Sequence, residues 1–234
     1  MAPGLSRRGQ LVGRHEELAR LTELVGADHD PESSMTVLVA GDAGVGKTRL
    51  LSELADQSTA AGWRVLVGHC LDFGDSELAY LPFTEIFGRL SAEPGSPPVS
   101  LSDRHPAVSR LLPGRRMLSG SSNDGADRVD RADLFESVHA TLSDLAQDEP
   151  LLVIIEDVHW ADRSTRELLS FLFARQFGAH VAIVASYRSD DIHRKHPLRA
   201  TVAEWARLPG VVRLQLPPLA EPDVRALVRA IHPA

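Results

Sequence analysis

Cysteine is nearly absent: Cys70 stands alone in 234 residues. A disulfide framework is therefore excluded, and a Cys-ligated zinc site is ruled against. The 10 histidines are scattered without zinc-binding spacing. There is no apolar run of membrane length, and the opening "MAPGLSRRGQLVGR" lacks the long apolar stretch of a secretory leader. Positive charge is also short. Lys and Arg total 25 against 32 Asp and Glu, a net charge of −7, whereas contacts to a nucleic-acid backbone need clustered cations. These absences predict a soluble, cytoplasmic domain with no membrane partner and no direct DNA contact. No internal repeat is visible.

What is present is enough apolar material, 43% of residues, to bury the core of one α/β domain. Leu18, Leu21 and Leu24 recur at helical spacing over 14–25, and the polar "ADHDPESS" (27–34) reads as a linker. "MTVLVA" (35–40) reads as a buried strand. Leu50, Leu51, Leu54 and Ala55 line one face of a helix from Lys47 to about residue 60, and "RVLVGHC" (64–70) is a second strand. Strand, helix and strand in so short a span make a βαβ unit, hence a parallel sheet. A helix is expected over 81–90. Residues 91–128, rich in Ser, Gly, Pro, Asp and Arg, read as a loop-rich, partly disordered insertion with one short helix at 107–112. Helices at 130–147, 164–177 and 196–208 alternate with strands at 151–156, 181–188 and 211–216, and a last helix starts at 221. The fold class this specifies is α/β: a doubly wound, mostly parallel five-stranded sheet flanked by helices. The core is expected over 1–218, with a helical lid beginning at 219–234. Such sheets bind ligands at the carboxyl ends of their strands.

Three strand ends carry chemistry. The first strand runs into "GDAGVGKT", which matches G-x-x-x-x-G-K-[ST] in full. Gly41, Gly44 and Gly46 let the backbone curl so that its N–H groups form an anion nest, and the next helix points its positive end at the same place. Lys47 has the reach for β- and γ-phosphates, and the Thr48 hydroxyl can coordinate Mg²⁺. The nucleotide-binding stretch is thus Gly41, Asp42, Ala43, Gly44, Val45, Gly46, Lys47, Thr48 and Arg49. The second strand end is "LLVIIED". Taken alone, Glu156 and Asp157 read as solvated charges at a strand exit. Beside a phosphate loop they read as the acidic side of the site, one carboxylate holding Mg²⁺ and another polarising water. Adjacent strand residues face opposite ways, so both can reach one metal only if the backbone turns there. At the third end, "SYRSDD", Arg188 is either a cation that reaches a γ-phosphate or a surface partner of Asp190 or Asp191. Asp162 and Arg163 shape the turn before a helix. His159 reads as a packing or hydrogen-bonding residue, and Trp160 as an anchor under the sheet edge.

"QLVGRHEELARL", "GDAGVGKTRLL", "GHCLDFGDSELAYLPFTEIF", "LLVIIEDVHWADRSTRELLSFL", "VAIVASYRSDD" and "LPPLAEPDVRAL" follow one another in this order. Together they resemble the AAA-type ATPase domain of the signal-transduction ATPases with numerous domains, most closely the large ATP-binding LuxR-type transcriptional regulators. The resemblance implies ATP and Mg²⁺ as cofactors, with ATP hydrolysed by Lys47, Glu156, Asp157 and Arg188. It places the metal on Thr48 with Glu156 or Asp157, and the base and ribose region against Val12, Gly13 and Arg14. It also implies that Arg188 senses the γ-phosphate. Glu156 departs from the family's usual aspartate. The chain is expected to stop within the first lid helix, so that ATP or ADP would act on downstream domains of a longer protein or on nucleotide-dependent self-association. The function implied is a regulatory switch with slow ATP hydrolysis. The alternatives are a nucleotide-binding interaction module without turnover, a regulatory ATPase domain attached to a kinase or cyclase, and a P-loop kinase of a small molecule.

Overall fold

The computed structural model describes residues 11–26, 35–72, 78–92, 104–112, 124–191 and 196–231. The expected linker at 27–34 lies outside them, as do residues 93–103 and 113–123 of the expected insertion and the last three residues of the lid segment. The elements run α1 (His15–Gly26), β1 (Met35–Gly41), α2 (Lys47–Ala60), β2 (Arg64–His69), α3 (Leu81–Ala92), a 3-10 helix (Pro106–Leu111), α4 (Asp124–Leu145) and β3 (Leu151–Glu156). A 3-10 turn (Val158–Trp160) follows, then α5 (Arg163–Phe173), β4 (Val181–Arg188), α6 (Leu198–Trp205), β5 (Val211–Gln215) and α7 (Glu221–Ile231). Among the described residues no helix is long and apolar enough to cross a membrane.

The five strands form one sheet in the order β2-β3-β4-β1-β5, and every pairing is parallel. β1, β3 and β4 are near-continuous apolar runs because they occupy the middle and are covered on both faces. The edge strands β2 and β5 are less buried and more mixed. Alternation along each central strand splits its side chains between two cores. Val37, Val39, Leu152, Ile154, Ala182 and Val184 pack with α1 and α2. Leu38, Ala40, Leu151, Val153, Ile155, Val181, Ile183 and Ala185 pack against α3 to α6. The doubly wound architecture follows from that division.

The sequence reading left the strand order open, and it placed one helix start differently. The strand bearing the acidic pair does not pair with β1, because β4 lies between them. From β1 the chain crosses by α2 to the far edge as β2, and β3 and β4 then fill the gap. Also, α4 begins at Asp124, six residues earlier than the apolar periodicity indicates. Its first turns, "DGADRVDR", are too polar to show a buried stripe.

Gly68 on β2 is a close-approach point. A Cβ there would stand 2.5 Å from the Pro82 carbonyl oxygen and 2.9 Å from its carbonyl carbon, which are backbone atoms that cannot swing away. Gly68→Ala is therefore expected to lower stability by about 1–3 kcal/mol. Urea denaturation checks this against Gly178→Ala, whose added methyl meets nothing within 4 Å and should change stability by less than about 0.5 kcal/mol.

Candidate functional site

The parallel sheet brings the ends of β1, β3 and β4 to one edge, where Gly44, Gly46, Lys47, Thr48, Arg49, Asp157 and Arg188 line a cleft of ≈ 530 Å³. The loop after β1 is shaped by left-handed glycines, Gly44 at φ 72° and Gly46 at φ 101°. Gly46 caps α2 without any side chain to occupy the first helical N–H groups. Those donors and the helix dipole are left available to an anion. Lys47 is buried, and its Nζ donates to the carbonyls of Gly41 (2.8 Å) and Asp42 (2.9 Å). Burial lowers its pKa, helped by Arg188 and opposed by Asp157, Asp190 and Asp42. The ammonium thus lies folded against the loop, where phosphate oxygens would offer it acceptors of full charge. Thr48 is exposed at the cleft, and the adjacent Arg49 pairs with Glu53 at 2.9 Å.

The two carboxylates of β3 separate. Glu156 is 5% exposed, with Oε1 3.8 Å from the Nε2 of His69. Asp157 adopts the left-handed conformation (φ 58°, ψ 43°) and opens the short 3-10 turn. Its N–H donates to Ser186 Oγ at 3.1 Å. The turn of the backbone that would aim an adjacent carboxylate at the cleft is present, and Asp157 lines the cleft whereas Glu156 does not. A non-glycine residue held in this region costs about 1–2 kcal/mol. Such strain persists where surrounding structure enforces it.

Arg188 lines the cleft and is also held locally: Nη1 lies 3.5 Å from Asp191 Oδ2, and the guanidinium sits 5.0 Å from the centroid of the Trp160 ring. Trp160 is therefore not an anchor beneath the sheet; it is 37% exposed beside the cleft. His159 is the buried member of the pair, and neither ring nitrogen has a hydrogen-bond partner. Burial lowers its pKa, against the pull of Asp157. Asp162 caps α5 as its sequence position implies, accepting from the N–H groups of Ser164 (2.8 Å) and Thr165 (3.3 Å).

The VGR stretch does not line the cleft. Arg14 is buried, donating to Glu17 Oε1 (2.6 Å) and to the carbonyls of Val45 (3.2 Å) and Pro217 (2.5 Å). It ties the start of α1 to the phosphate loop and to the chain leaving β5. Val12 and Gly13 are half-buried, with Gly13 packed against Asp223 of α7.

Several contacts around the site carry no sequence signal. Ser189 Oγ donates to Asp42 Oδ1 (3.0 Å), and the Ala43 N–H donates to the Asp190 carboxylate (3.2 and 3.3 Å). The latter bond holds that carboxyl below its ordinary range. On the far side, the Glu85 carboxylate accepts from the His69 N–H (2.9 Å) and meets its Nδ1 (3.0 Å). The Ser189 and Asp190 contacts depend on β4 lying beside β1, and the His69–Glu85 contact on α3 packing against β2.

No group of three His, Cys, Asp or Glu that could hold an ion by themselves occurs among the described residues. A Mg²⁺ that takes most of its ligands from phosphate and water needs fewer, and the Thr48 hydroxyl with the Asp157 carboxylate on one cleft fits such an ion.

Residues 10–184 match the family described as AAA ATPase domain. An uncharacterised protein of Rhizobium meliloti (strain 1021) is 27% identical over 238 residues, covering 96% of this chain and 22% of that protein. The crystal structure of Cdc6p from Pyrobaculum aerophilum superposes with a TM-score of 0.57 at 17% identity, covering 98% of this chain and 51% of that one. A signal transduction ATPase with numerous domains and a tetratricopeptide repeat sensor, from Pyrococcus horikoshii, gives 0.50 at 16% identity, covering 100% of this chain and 28% of that one. The chain thus spans about half or less of the length of each of these relatives.

The His69 pair yields a pH test. Its hydrogen bond to Glu85 raises the pKa of His69 above the ordinary 6.5, with Glu156 adding to the effect and burial opposing it. A raised folded-state pKa contributes stability that is fully present below 6.5 and is lost as pH rises through the folded value. NMR titration of the nucleotide-free protein should therefore find His69 titrating above 6.5. Glu85→Gln should bring it down.

Proposed function

The chain belongs to the AAA ATPase domain family, and from that premise we propose that it is an ATP- and Mg²⁺-binding regulatory switch that hydrolyses ATP slowly. The observation that carries this reading is the convergence of Lys47, Thr48, Asp157 and Arg188 on one cleft. In it, the loop N–H groups and the α2 terminus hold the phosphates, and Lys47 leaves the carbonyls of Gly41 and Asp42 for the β- and γ-oxygens. Thr48 and Asp157 would hold the metal. Mg²⁺, when bound, would supply charge neutralisation on the phosphates. Arg188 meets the terminal phosphate.

Slow turnover rests on the carboxylates. Asp157 takes the metal side, while Glu156 is withdrawn against His69, so among the described residues no second carboxylate lines the cleft to orient water. The same observation favours a second reading, a nucleotide-binding module without turnover. In either case the output belongs to a longer protein, in keeping with the greater length of the relatives. Placement in a LuxR-type transcriptional regulator follows the sequence resemblance, as do the cytoplasmic location and nucleotide-dependent self-association.

Lys47→Ala is expected to weaken Mg²⁺-ATP binding at least roughly tenfold, the scale of losing charge-assisted hydrogen bonds. Calorimetric titration reads this, and an unchanged affinity overturns nucleotide binding at this loop. A single-turnover assay then divides the two readings: slow phosphate release abolished by Asp157→Asn supports the switch. Tight binding with no release above background supports the module.

A further inference from the structure

The "HWAD" stretch after the acidic pair is left unused by nucleotide binding as described. Trp160 closes the Val158–Trp160 turn, and its indole stands partly in solvent beside the cleft. The ring meets two neighbours. The Arg188 guanidinium lies 5.0 Å from its centroid, and the buried His159 ring lies at 4.7 Å, tilted by 42°. Asp191 completes the group, its Oδ2 3.5 Å from Arg188 Nη1 and 3.6 Å from His159 Nε2.

Among the described residues that line the cleft, Arg188 is the cation carried outside the phosphate loop and its helix. Its position is set by register, since it pairs with Gly41 where the loop begins. A long side chain at a strand end loses rotamer entropy when it must meet a ligand, and a support that orients it beforehand reduces that loss. An aromatic face suits this task. It attracts the guanidinium without cancelling its charge, unlike the Asp191 carboxylate 3.5 Å away, with which an incoming phosphate competes.

Resting on the nucleotide-binding reading above, we propose that Trp160 is a positioning residue that sets the preference for a nucleoside triphosphate over a diphosphate, by holding Arg188 at the cleft. The loop and Thr48 serve phosphates that both ligands possess, and Lys47 spans the β- and γ-oxygens. Arg188 serves the third. Loosening Arg188 therefore weakens ATP and leaves ADP nearly untouched.

The test is calorimetric titration of the full chain with Mg²⁺-ATP and Mg²⁺-ADP. Trp160→Ala should weaken ATP roughly three- to fivefold, the scale of one cation–π contact, with ADP unchanged. Trp160→Phe, which keeps a ring face, should recover most of the loss. In an Arg188→Ala background, Trp160→Ala should have no further effect, since the contact is already gone. Equal losses for ATP and ADP would mark a merely structural role and overturn the proposal. So would an unchanged ATP affinity, an undiminished effect without Arg188, or failure of the phenylalanine to rescue. A wild-type chain that binds neither nucleotide overturns the nucleotide-binding reading itself. Wild-type binding with an indifferent Trp160→Ala overturns only the role of Trp160.

Discussion

The carbonyl of Gly41 is the point on which the site is assembled. It accepts from Lys47 Nζ at 2.8 Å and from the Ser189 N–H at 3.2 Å. One residue earlier, the Ala40 carbonyl accepts from the Leu216 N–H at 2.7 Å. The end of β1 is therefore bonded to the loop it starts and to the chain leaving each of its neighbours, β4 and β5. A phosphate loop on an edge strand would lack one of these supports. Central placement makes the loop's curvature a property of the sheet, and a preformed anion nest has less ordering cost to meet when a ligand arrives.

The same placement explains the residues around the cleft. β4 is the immediate neighbour of β1, so its end supplies the close contacts: Arg188, Ser189 and Asp190. β3 is one strand further away, and a carboxylate there must cross that distance. The left-handed turn at Asp157 provides the reach, and the Ser186 hydroxyl of β4 receives its N–H. Glu156, still within the strand, points into the space bordered by β2 and meets His69. One change of backbone conformation between two adjacent acids sends them to two environments. The environments differ in burial and in available cations, and so in chemistry.

Much of this was legible in the residues. The continuous apolar runs of β1, β3 and β4 mark central parallel strands, and the loop from Gly41 to Thr48 marks a phosphate site through its spacing. Asp162 announces the start of α5 because a cap acts within its own turn. The start of α4 was hidden, since the sequence of its first turns, "DGADRVDR", carries no apolar periodicity. Trp160 was misplaced because apolar size predicts burial in general, whereas here the ring meets a cation from another strand.

By itself, the sequence determined whatever is local: strand and helix identity, the left-handed glycines of the loop, and an acid at the exit of a buried strand. Spacing along the chain encodes these, since each depends on residues a few positions apart. Only the tertiary structure decided that β4 lies between the loop strand and the acidic strand, and that Asp157 faces the cleft while Glu156 meets His69. It also decided that Arg188 rests on Trp160 and that Arg14 braces the loop from a different side. These partners lie tens to hundreds of residues apart in the chain. They meet because the order of parallel strands is chosen by how the two faces of the sheet bury their apolar surface, and no local pattern records that choice.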